Sequence, residues 1–154
     1  MRLNEEDLTR WGERIGETLR PPVFVGLQGP LGAGKSVLAR AVARGAGVRH
    51  SMPSPSFNLL FRYPARLGID VVHIDLYRVR TPEELWELGW EDLGADHELI
   101  LVEWPERAGD LLPEDRWTIR LEVPRGLTEL RDVEVVRTGS PPPLVGFPIT
   151  VSGE

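Results

Sequence analysis

The sequence VFVGLQGPLGAGKSV, which runs from Val23 to Val37, decides the fold of this chain. Its first part, Val23–Gln28, is an apolar run with the length and β-branched content of a buried strand. Its second part, Gly29–Ser36, fits the pattern G-x-x-x-x-G-K-S/T of loops that bind nucleotide phosphates. The segment Val37–Ala43 reads as a helix that ends at the glycines after it. Strand, glycine-rich loop and helix, in this order, are the structural context that the pattern requires.

The residue types of this loop suit a triphosphate. Glycines allow the backbone to wrap around a phosphate with its N–H groups pointing inward, and the following helix adds its positive N-terminal end. Lys35 would reach the β- and γ-phosphates, and the Ser36 hydroxyl would ligate Mg²⁺. Lys35 is also the single lysine among 18 Lys and Arg residues, and a compact ammonium fits a tight phosphate cradle better than a forked guanidinium. The predicted nucleotide-binding residues of this loop are Gly29, Leu31, Gly32, Ala33, Gly34, Lys35, Ser36 and Val37.

Size and composition limit the remaining possibilities. With 154 residues, 41% of them hydrophobic and 27% charged, the chain is expected to form one globular domain. It contains no cysteine, which excludes disulfides and thiolate metal sites. Its net charge of −6 provides no general basic surface, which weighs against nucleic-acid binding by the chain alone. The sequence shows no signal peptide and no long apolar run, so we expect a cytoplasmic protein that does not engage a membrane.

The rest of the chain alternates predicted helices and strands. A first helix is predicted from an Asn4 cap to the Pro21-Pro22 pair, because apolar residues recur between them at helical spacing. A short helix is predicted to begin at a Thr81 cap with Pro82 at its first position, and to end before Gly89. The last two strands named below alternate apolar and polar residues, which indicates an antiparallel pair. Besides Val23–Gln28, the predicted strands are Phe57–Tyr63, Val71–Asp75, Leu99–Glu103, Trp117–Val123 and Arg131–Val136.

This order of elements predicts an α/β fold of the P-loop NTPase type. Three layers are expected around a mixed, largely parallel central sheet, with antiparallel strands toward the C-terminus. Residues 1–138 are predicted to form a single domain. Residues 139–154 are predicted to form a Pro-rich C-terminal tail, and we expect this end to be poorly ordered.

Two of the predicted strands end in an acid, Asp75 and Glu103. Ligands of open α/β sheets bind at the carboxyl ends of the strands, so both carboxylates are expected to face the triphosphate. Either acid could hold Mg²⁺, usually through water, or orient the attacking water, and spacing alone does not assign the two roles. Glu106 is a third, weaker candidate. His73 lies inside an apolar run, which is more typical of a buried structural imidazole than of a catalytic one.

The segment His50–Asn58 is rich in Ser and Pro and is predicted to be a loop centred on Ser54–Phe57. In P-loop proteins the segment after the first helix often senses the γ-phosphate. A structural turn explains the same composition equally well, so both interpretations stay open. Trp104 could either stack on a ligand or cap the core. Glu5 and Arg131 are candidates for the edge of the nucleotide pocket.

Five motifs can be compared with known families: Leu31–Ser36, Ser54–Phe57, His73–Arg78, Pro82–Leu85 with the later Gly89, and Glu103–Pro105. By these motifs the chain resembles the TsaE (YjeE) family, small bacterial ATPases of tRNA threonylcarbamoyladenosine (t6A) synthesis. The motifs occur in the family's order and spacing, and the H-x-D-L-Y-R and E-W-P segments are far more specific than the phosphate-binding loop. The family usually has Thr at positions 36 and 56, and the serines here keep the hydroxyl.

The resemblance implies ATP binding at Gly32–Val37 and Mg²⁺ binding at Ser36 and Glu103. It also implies a role in hydrolysis for Asp75 and a switch role for the Ser54–Phe57 loop. Such ATPases are weak alone and act with TsaD and TsaB subunits, which transfer a threonylcarbamoyl group to a tRNA adenosine next to the anticodon. The tRNA is then met only through that complex. The predicted catalytic residues are Asp75, Glu103 and Ser56.

Two other functions are compatible with a phosphate-binding loop. One is a small kinase that passes the γ-phosphoryl group to a metabolite, although no compact arginine-bearing lid insertion is found in the sequence. The other is a nucleotide-gated binding module that barely hydrolyses ATP. A GTPase is disfavoured because its guanine-reading N-K-x-D motif needs a second lysine, and Lys35 is the only one.

Overall fold

The computed structural model describes residues 1–49 and 59–147. Its helices are α1 (Glu5–Thr18), α2 (Lys35–Ala46) and α3 (Glu83–Glu87), and short 3₁₀ segments span Arg66–Gly68, Trp90–Asp92 and Pro105–Leu111. Its strands are β1 (Arg2–Asn4), β2 (Val23–Gln28), β3 (Leu60–Pro64), β4 (Asp70–Asp75), β5 (Glu98–Glu103), β6 (Arg116–Glu122) and β7 (Leu130–Thr138). No helix in these ranges is both long enough and apolar enough to cross a membrane.

The strands form one mixed sheet in the order β1-β7-β6-β2-β5-β4-β3. The four central strands β6, β2, β5 and β4 run parallel, and the pairs β3–β4, β6–β7 and β1–β7 are antiparallel. The predicted sheet, parallel in its centre and antiparallel toward the C-terminus, is confirmed. The short edge strand β1 was not predicted, because three residues carry no readable periodicity and only the pairing with β7 defines them.

Two layers of unequal thickness cover the sheet. On one face α1 and α2 pack against β2, β5 and β6 around residues such as Trp11, Leu38 and Leu101. On the other face α3 and the 3₁₀ segments pack against β2, β4 and β5, with Leu85 and Trp90 in the core. This arrangement confirms the predicted three layers.

The ends of the helices agree with the sequence in part. The Asn4 side chain caps α1 by accepting a hydrogen bond from the N–H of Asp7 at 2.8 Å, as predicted. The predicted cap of α3 at Thr81 is wrong: Pro82 occupies the cap position, the helix begins at Glu83, and no side chain makes the cap bond. A main-chain bond from Glu84 N–H to the Thr81 carbonyl closes the turn instead.

The described end of the chain, residues 139–147, packs on the domain and so differs from the poorly ordered end that we expected. The indole N–H of Trp117 donates to the Pro142 carbonyl at 2.7 Å, and that of Trp11 donates to the Val145 carbonyl at 3.1 Å. The Phe147 ring lies 4.7 Å from the Trp11 ring, between centroids. The sequence did not predict this packing, because a Pro-rich composition is typical of a solvated linker. The apolar residues Leu144, Val145 and Phe147 nevertheless pack against the core.

Helices α1 and α2 approach each other so closely that glycine is required at their crossing. A Cβ atom added at Gly16 would lie 2.0 Å from the Val42 carbonyl oxygen, and one added at Gly45 would lie 1.9 Å from the Glu13 carbonyl oxygen. Both contacts are with backbone, which cannot move aside as a flexible side chain would. The position of α2, and with it the end of the glycine-rich loop that leads into this helix, therefore depends on these glycines.

We predict that Gly16→Ala lowers the free energy of unfolding by about 1–3 kcal/mol, because the new methyl group overpacks the helix crossing. Helix propensity alone would give the opposite sign, since alanine is favoured over glycine by roughly 1 kcal/mol in a helix interior. Urea unfolding measures the difference. Gly146→Ala is the matched control, because a Cβ there meets nothing within 4 Å, and an unchanged or raised stability of Gly16→Ala would contradict the crossing geometry.

Candidate nucleotide-binding site

The loop between β2 and α2 requires glycine at both of its ends. A Cβ atom at Gly29 would lie 2.3 Å from the Leu121 carbonyl oxygen, so the backbone of β6 leaves no room for a side chain. Gly34 precedes α2 with a left-handed φ of 101°, which disfavours other residues. Between them, the N–H of Ala33 donates to the Pro30 carbonyl at 3.1 Å and closes the turn. The loop is thus fixed at both ends.

The ammonium of Lys35 is buried inside this loop. Its Nζ donates to the carbonyls of Gly29 and Pro30, the second at 2.9 Å, and lies 4.4 Å from the centroid of the Trp104 ring. Burial lowers the pKa of Lys35, and the negative charges of Glu103, Asp75 and Glu106 oppose that shift. The carbonyls and the indole face stabilise the cation where the loop would enclose a phosphate.

Glu103 links the loop to the end of β5. Its Oε1 accepts a hydrogen bond from the Ser36 hydroxyl at 3.1 Å, and its Oε2 lies 2.7 Å from Nε2 of His73. Since an ionised carboxylate only accepts, the imidazole donates from Nε2. His73 and Glu103 are 2% and 4% exposed, so both are removed from water. The imidazole is buried, as the sequence favoured, and it holds the strand-end acid in place.

Asp75 lies beside Glu103 because β4 and β5 pair in parallel with these two residues in register. Its Oδ1 accepts the N–H of Tyr77 at 2.9 Å, which bends the chain away from the sheet. Burial raises the pKa of Asp75, and the charge of Glu103 raises it further, while the Tyr77 N–H, His73 and Lys35 act in the opposite direction. The two acids are therefore adjacent but differ in environment.

Trp104 and Pro105 shape the end of β5. Trp104 has a left-handed φ of 58°, which is uncommon for a residue with a large side chain, and its N–H donates to the Leu27 carbonyl at 3.2 Å. The ring packs against Tyr77, with 5.1 Å between centroids. Pro105 lies so close to Gly26 that a Cβ there would meet the proline ring at 2.9 Å. This turn places the indole under the Lys35 ammonium.

An open cavity of about 300 Å³ lies over the loop and the two acids. Of the residues predicted for ATP or metal binding, nine line it, and Tyr77 and Trp104 complete the wall. The nine are Leu31, Gly32, Gly34, Lys35, Ser36, Val37, Asp75, Glu103 and Arg131. The other two predicted loop residues, Gly29 and Ala33, contribute backbone: the Gly29 carbonyl holds Lys35 and the Ala33 carbonyl binds Arg131.

Arg131 and Glu5 lie on the α1 side of the loop. The Arg131 guanidinium donates to the carbonyls of Ala33 at 2.9 Å and Gly32 at 3.2 Å, so it braces the loop from β7. Glu5 lines a smaller adjoining cavity of about 70 Å³ together with Leu8, Gly34, Val37, Thr128, Glu129 and Arg131. The structure therefore brings both candidates next to the loop, in different roles.

Another predicted site residue, Glu106, does not line this cavity. Glu106 is exposed on the 3₁₀ segment after β5, where its charge acts on Lys35. Ser56 and the rest of the Ser54–Phe57 loop lie outside the described residues. Tyr77 was missed by sequence reasoning, although its position two residues after the strand-end acid Asp75 is a signal for it. The role of Trp104 was left open and is now a contact with Lys35.

A glycine-rich loop that joins a central parallel strand to a helix, with acids at the ends of neighbouring strands, defines a protein of the P-loop NTPase fold class. The fold is also that of a solved structure, the crystal structure of Bacillus subtilis YdiB. The match has a TM-score of 0.70 at 23% identity and covers 90% of this chain and 84% of that one.

The sequence comparisons define the family. The profile described as "Threonylcarbamoyl adenosine biosynthesis protein TsaE" matches residues 3–129. The proteins named tRNA threonylcarbamoyladenosine biosynthesis protein TsaE include one from Treponema pallidum, 36% identical, with 77% of this chain and 86% of that protein aligned. Another, from Haemophilus influenzae, is 30% identical over 86% of this chain and 85% of its own length. The chain therefore belongs to the TsaE family of t6A biosynthesis, which confirms the resemblance.

We predict that Asp75→Asn stabilises the nucleotide-free protein near pH 7. Because the folded protein raises the pKa of Asp75, its contribution to stability is fully present below the unfolded pKa and is lost as pH rises through the folded one. The asparagine does not ionise, so the variant does not lose this stability at high pH. Its higher free energy of unfolding relative to the wild type should therefore disappear below about pH 4, where Asp75 is protonated in both states. Thermal denaturation across pH measures it, with the exposed Asp96→Asn as control. A variant less stable than the wild type at pH 7 would show that the ionised carboxylate is favoured by folding.

Proposed function

We propose that this protein is a Mg²⁺-dependent ATPase that works with TsaD- and TsaB-type partners in t6A modification of tRNA. ATP binding and hydrolysis would drive turnover of that complex. The observation that carries the proposal is the hydrogen bond from Ser36 to Glu103 beside the buried ammonium of Lys35. A hydroxyl and a cation at the start of α2, beside a carboxylate at the end of a neighbouring strand, are the parts that phosphoryl transfer uses.

The residues at this point fit Mg²⁺. The metal prefers hard oxygen ligands, keeps several waters, and is usually held by one or two protein groups together with substrate phosphates. Ser36 Oγ and the Glu103 carboxylate supply such oxygens, 3.1 Å apart, at the edge of the open cavity. When bound there, Mg²⁺ would neutralise charge on the β- and γ-phosphates.

The protein groups have separate tasks in this proposal. The main-chain amides at the start of α2 lack partners within the helix and would bind phosphate oxygens. Lys35 would exchange its two carbonyl partners for phosphate oxygens. Burial lowers the pKa of Lys35, and the negative charge of a bound phosphate would favour its charged form again. His73 would keep the Glu103 carboxylate oriented toward Ser36.

Asp75 is the better candidate for orienting the attacking water, since Glu103 already binds Ser36 and His73 with its two oxygens. One Asp75 oxygen binds the Tyr77 amide, and the carboxylate lines the same cavity. We also propose the Ser54–Phe57 loop, with Ser56, as the segment that responds to the γ-phosphate. Glu5, Arg131 and, less directly, Glu106 are proposed to border the nucleotide.

The cellular setting of the proposal follows from family membership and from charge. A t6A protein acts on tRNA, yet a chain with net charge −6 is a poor ligand for a phosphate backbone. We therefore propose that it meets tRNA only through its protein partners, in the cytoplasm.

We predict that Lys35→Ala abolishes saturable binding of Mg·ATP, because the variant loses the cation that would pair with the β- and γ-phosphates. Isothermal titration calorimetry measures this directly. Arg14→Ala is the matched control: it removes one positive charge from the exposed surface of α1 and should bind ATP as the wild type does. Undiminished affinity in Lys35→Ala, or no saturable heat with the wild type, would rule out the proposed site.

We predict that Glu103→Gln still binds ATP but loses turnover by about 100-fold or more, because the metal site loses its carboxylate. Phosphate release is measured without an acceptor, with and without TsaD and TsaB, and t6A formation is followed in parallel. The wild type should turn over slowly alone and faster with these partners. Normal t6A formation by Glu103→Gln would favour a nucleotide-gated binding module, and a phosphorylated acceptor would favour a kinase.

A further inference from the structure

A second cavity, with a volume of about 540 Å³, lies on the face of the sheet that α3 covers. Phe24 and Ile100, which pair across β2 and β5, form its floor and are only 6% and 3% exposed. Trp86 stands at its rim with 46% of its surface exposed. The floor lies near the start of β2, roughly 13 Å along the strand from its end at Gln28, where the phosphate-binding loop begins. We call this cavity the Trp86 groove.

The Trp86 groove exists because one layer of the fold is thin. The opposite face of the sheet is covered by helices of 14 and 12 residues, whereas α3 has 5. Short 3₁₀ segments complete the α3 layer, and between them the apolar floor stays accessible. A large aromatic side chain left half-exposed beside such a floor is typical of a protein-binding surface, where Trp is enriched among the residues that carry the affinity.

The walls of the Trp86 groove are held in place by hydrogen bonds. The indole N–H of Trp90 donates to the Leu111 carbonyl at 3.1 Å and so ties two walls together, and its ring meets Phe24 edge-on at 5.9 Å between centroids. The buried Glu98 carboxylate accepts the N–H groups of Gly94 at 2.8 Å and Ala95 at 3.0 Å. A ligand would therefore enter a preformed cavity rather than create one.

The two charged residues that line the Trp86 groove in the described part of the chain are both acids. Glu91 and Asp115 line it, and no Lys or Arg is among the described residues that do. The two segments that frame it, residues 81–96 and 108–115, carry nine acids and no Lys or Arg. Arg80, Arg107 and Arg116 border these segments, and the Arg116 guanidinium donates to the Pro113 carbonyl at 2.7 Å, so the acids outnumber the neighbouring cations by three to one. These acids are Glu83, Glu84, Glu87, Glu91, Asp92, Asp96, Asp110, Glu114 and Asp115.

We propose that the Trp86 groove binds a segment of a partner protein in which large apolar side chains are flanked by Arg or Lys. The apolar side chains would fill the space above Phe24 and Ile100, and the cations would meet the acidic rim. A nucleic acid would be repelled by that rim, and so would a second copy of this chain, because a two-fold contact would place like charges together. The proposal does not rest on the ATPase function, since none of the groove's lining residues lines the cavity over the phosphate-binding loop.

The test is selection of a phage-displayed library of random short peptides on the full-length wild-type protein. We expect enrichment of peptides with a large apolar residue flanked by Arg or Lys. The affinity of an enriched peptide, measured by isothermal titration calorimetry, should fall about tenfold or more in Trp86→Ala and in Glu91→Arg. Both residues are exposed, so the fold should be retained, and circular dichroism checks this.

Matched variants separate the groove from the rest of the surface. Leu127→Ala removes an apolar side chain of similar exposure, 42%, from the β6–β7 turn, and Glu17→Arg reverses a charge on exposed α1; both should bind the peptide normally. Lys35→Ala should bind it too, so a failed ATPase proposal leaves this result intact. The proposal is overturned if no peptide is enriched, if the enriched peptides lack cations, or if Trp86→Ala binds them unchanged. It is also overturned if sedimentation shows a dimer of the wild type that Trp86→Ala dissociates, because a second copy would then occupy the groove.

Discussion

The parallel pairing of β2 with β5 is the constraint on which the candidate site depends. In this register Leu27 lies beside Glu103, so the loop that leaves β2 passes directly over the carboxylate that ends β5. The first turn of α2 then brings Ser36 within 3.1 Å of it. A slip of one residue would turn Glu103 to the opposite face of the sheet and separate the hydroxyl from the acid. The geometry of the site therefore depends on the strand register of the sheet as well as on the loop.

The site holds its charges at an energetic cost. Burial shifts the pKa of Lys35 down and that of Asp75 up, so in both residues it disfavours the charged form. Neither group gains full compensation from its partners, since Lys35 is held largely by carbonyls and an indole face. In the proposed function, a bound anion and metal would offset this cost. Trp104, beside these groups, has a left-handed backbone conformation, which adds a further energetic cost at the site.

The sequence predicted most of the sheet and most of the residues around the loop, because long apolar runs, a glycine pattern and strand-end acids are local signals. It did not predict β1, which exists only through its pairing with β7. It also missed the packing of residues 140–147, since the bonds of Trp11 and Trp117 to their carbonyls join positions far apart in the chain. The contacts of Tyr77 with Trp104 and of His73 with Glu103 were not predicted for the same reason. Local sequence patterns do not predict contacts between residues that are far apart in the chain.

The contacts of the H-x-D-L-Y-R and E-W-P segments hold several parts of the candidate site at once. His73 fixes Glu103, Asp75 binds the amide that turns the chain at Tyr77, and Pro105 packs where Gly26 leaves room. Trp104 lies under Lys35 only because its backbone takes a left-handed turn. A phosphate-binding loop needs only glycines and a cation, and many folds supply them. Each of the two segments therefore meets several structural constraints at once, whereas the loop alone meets few.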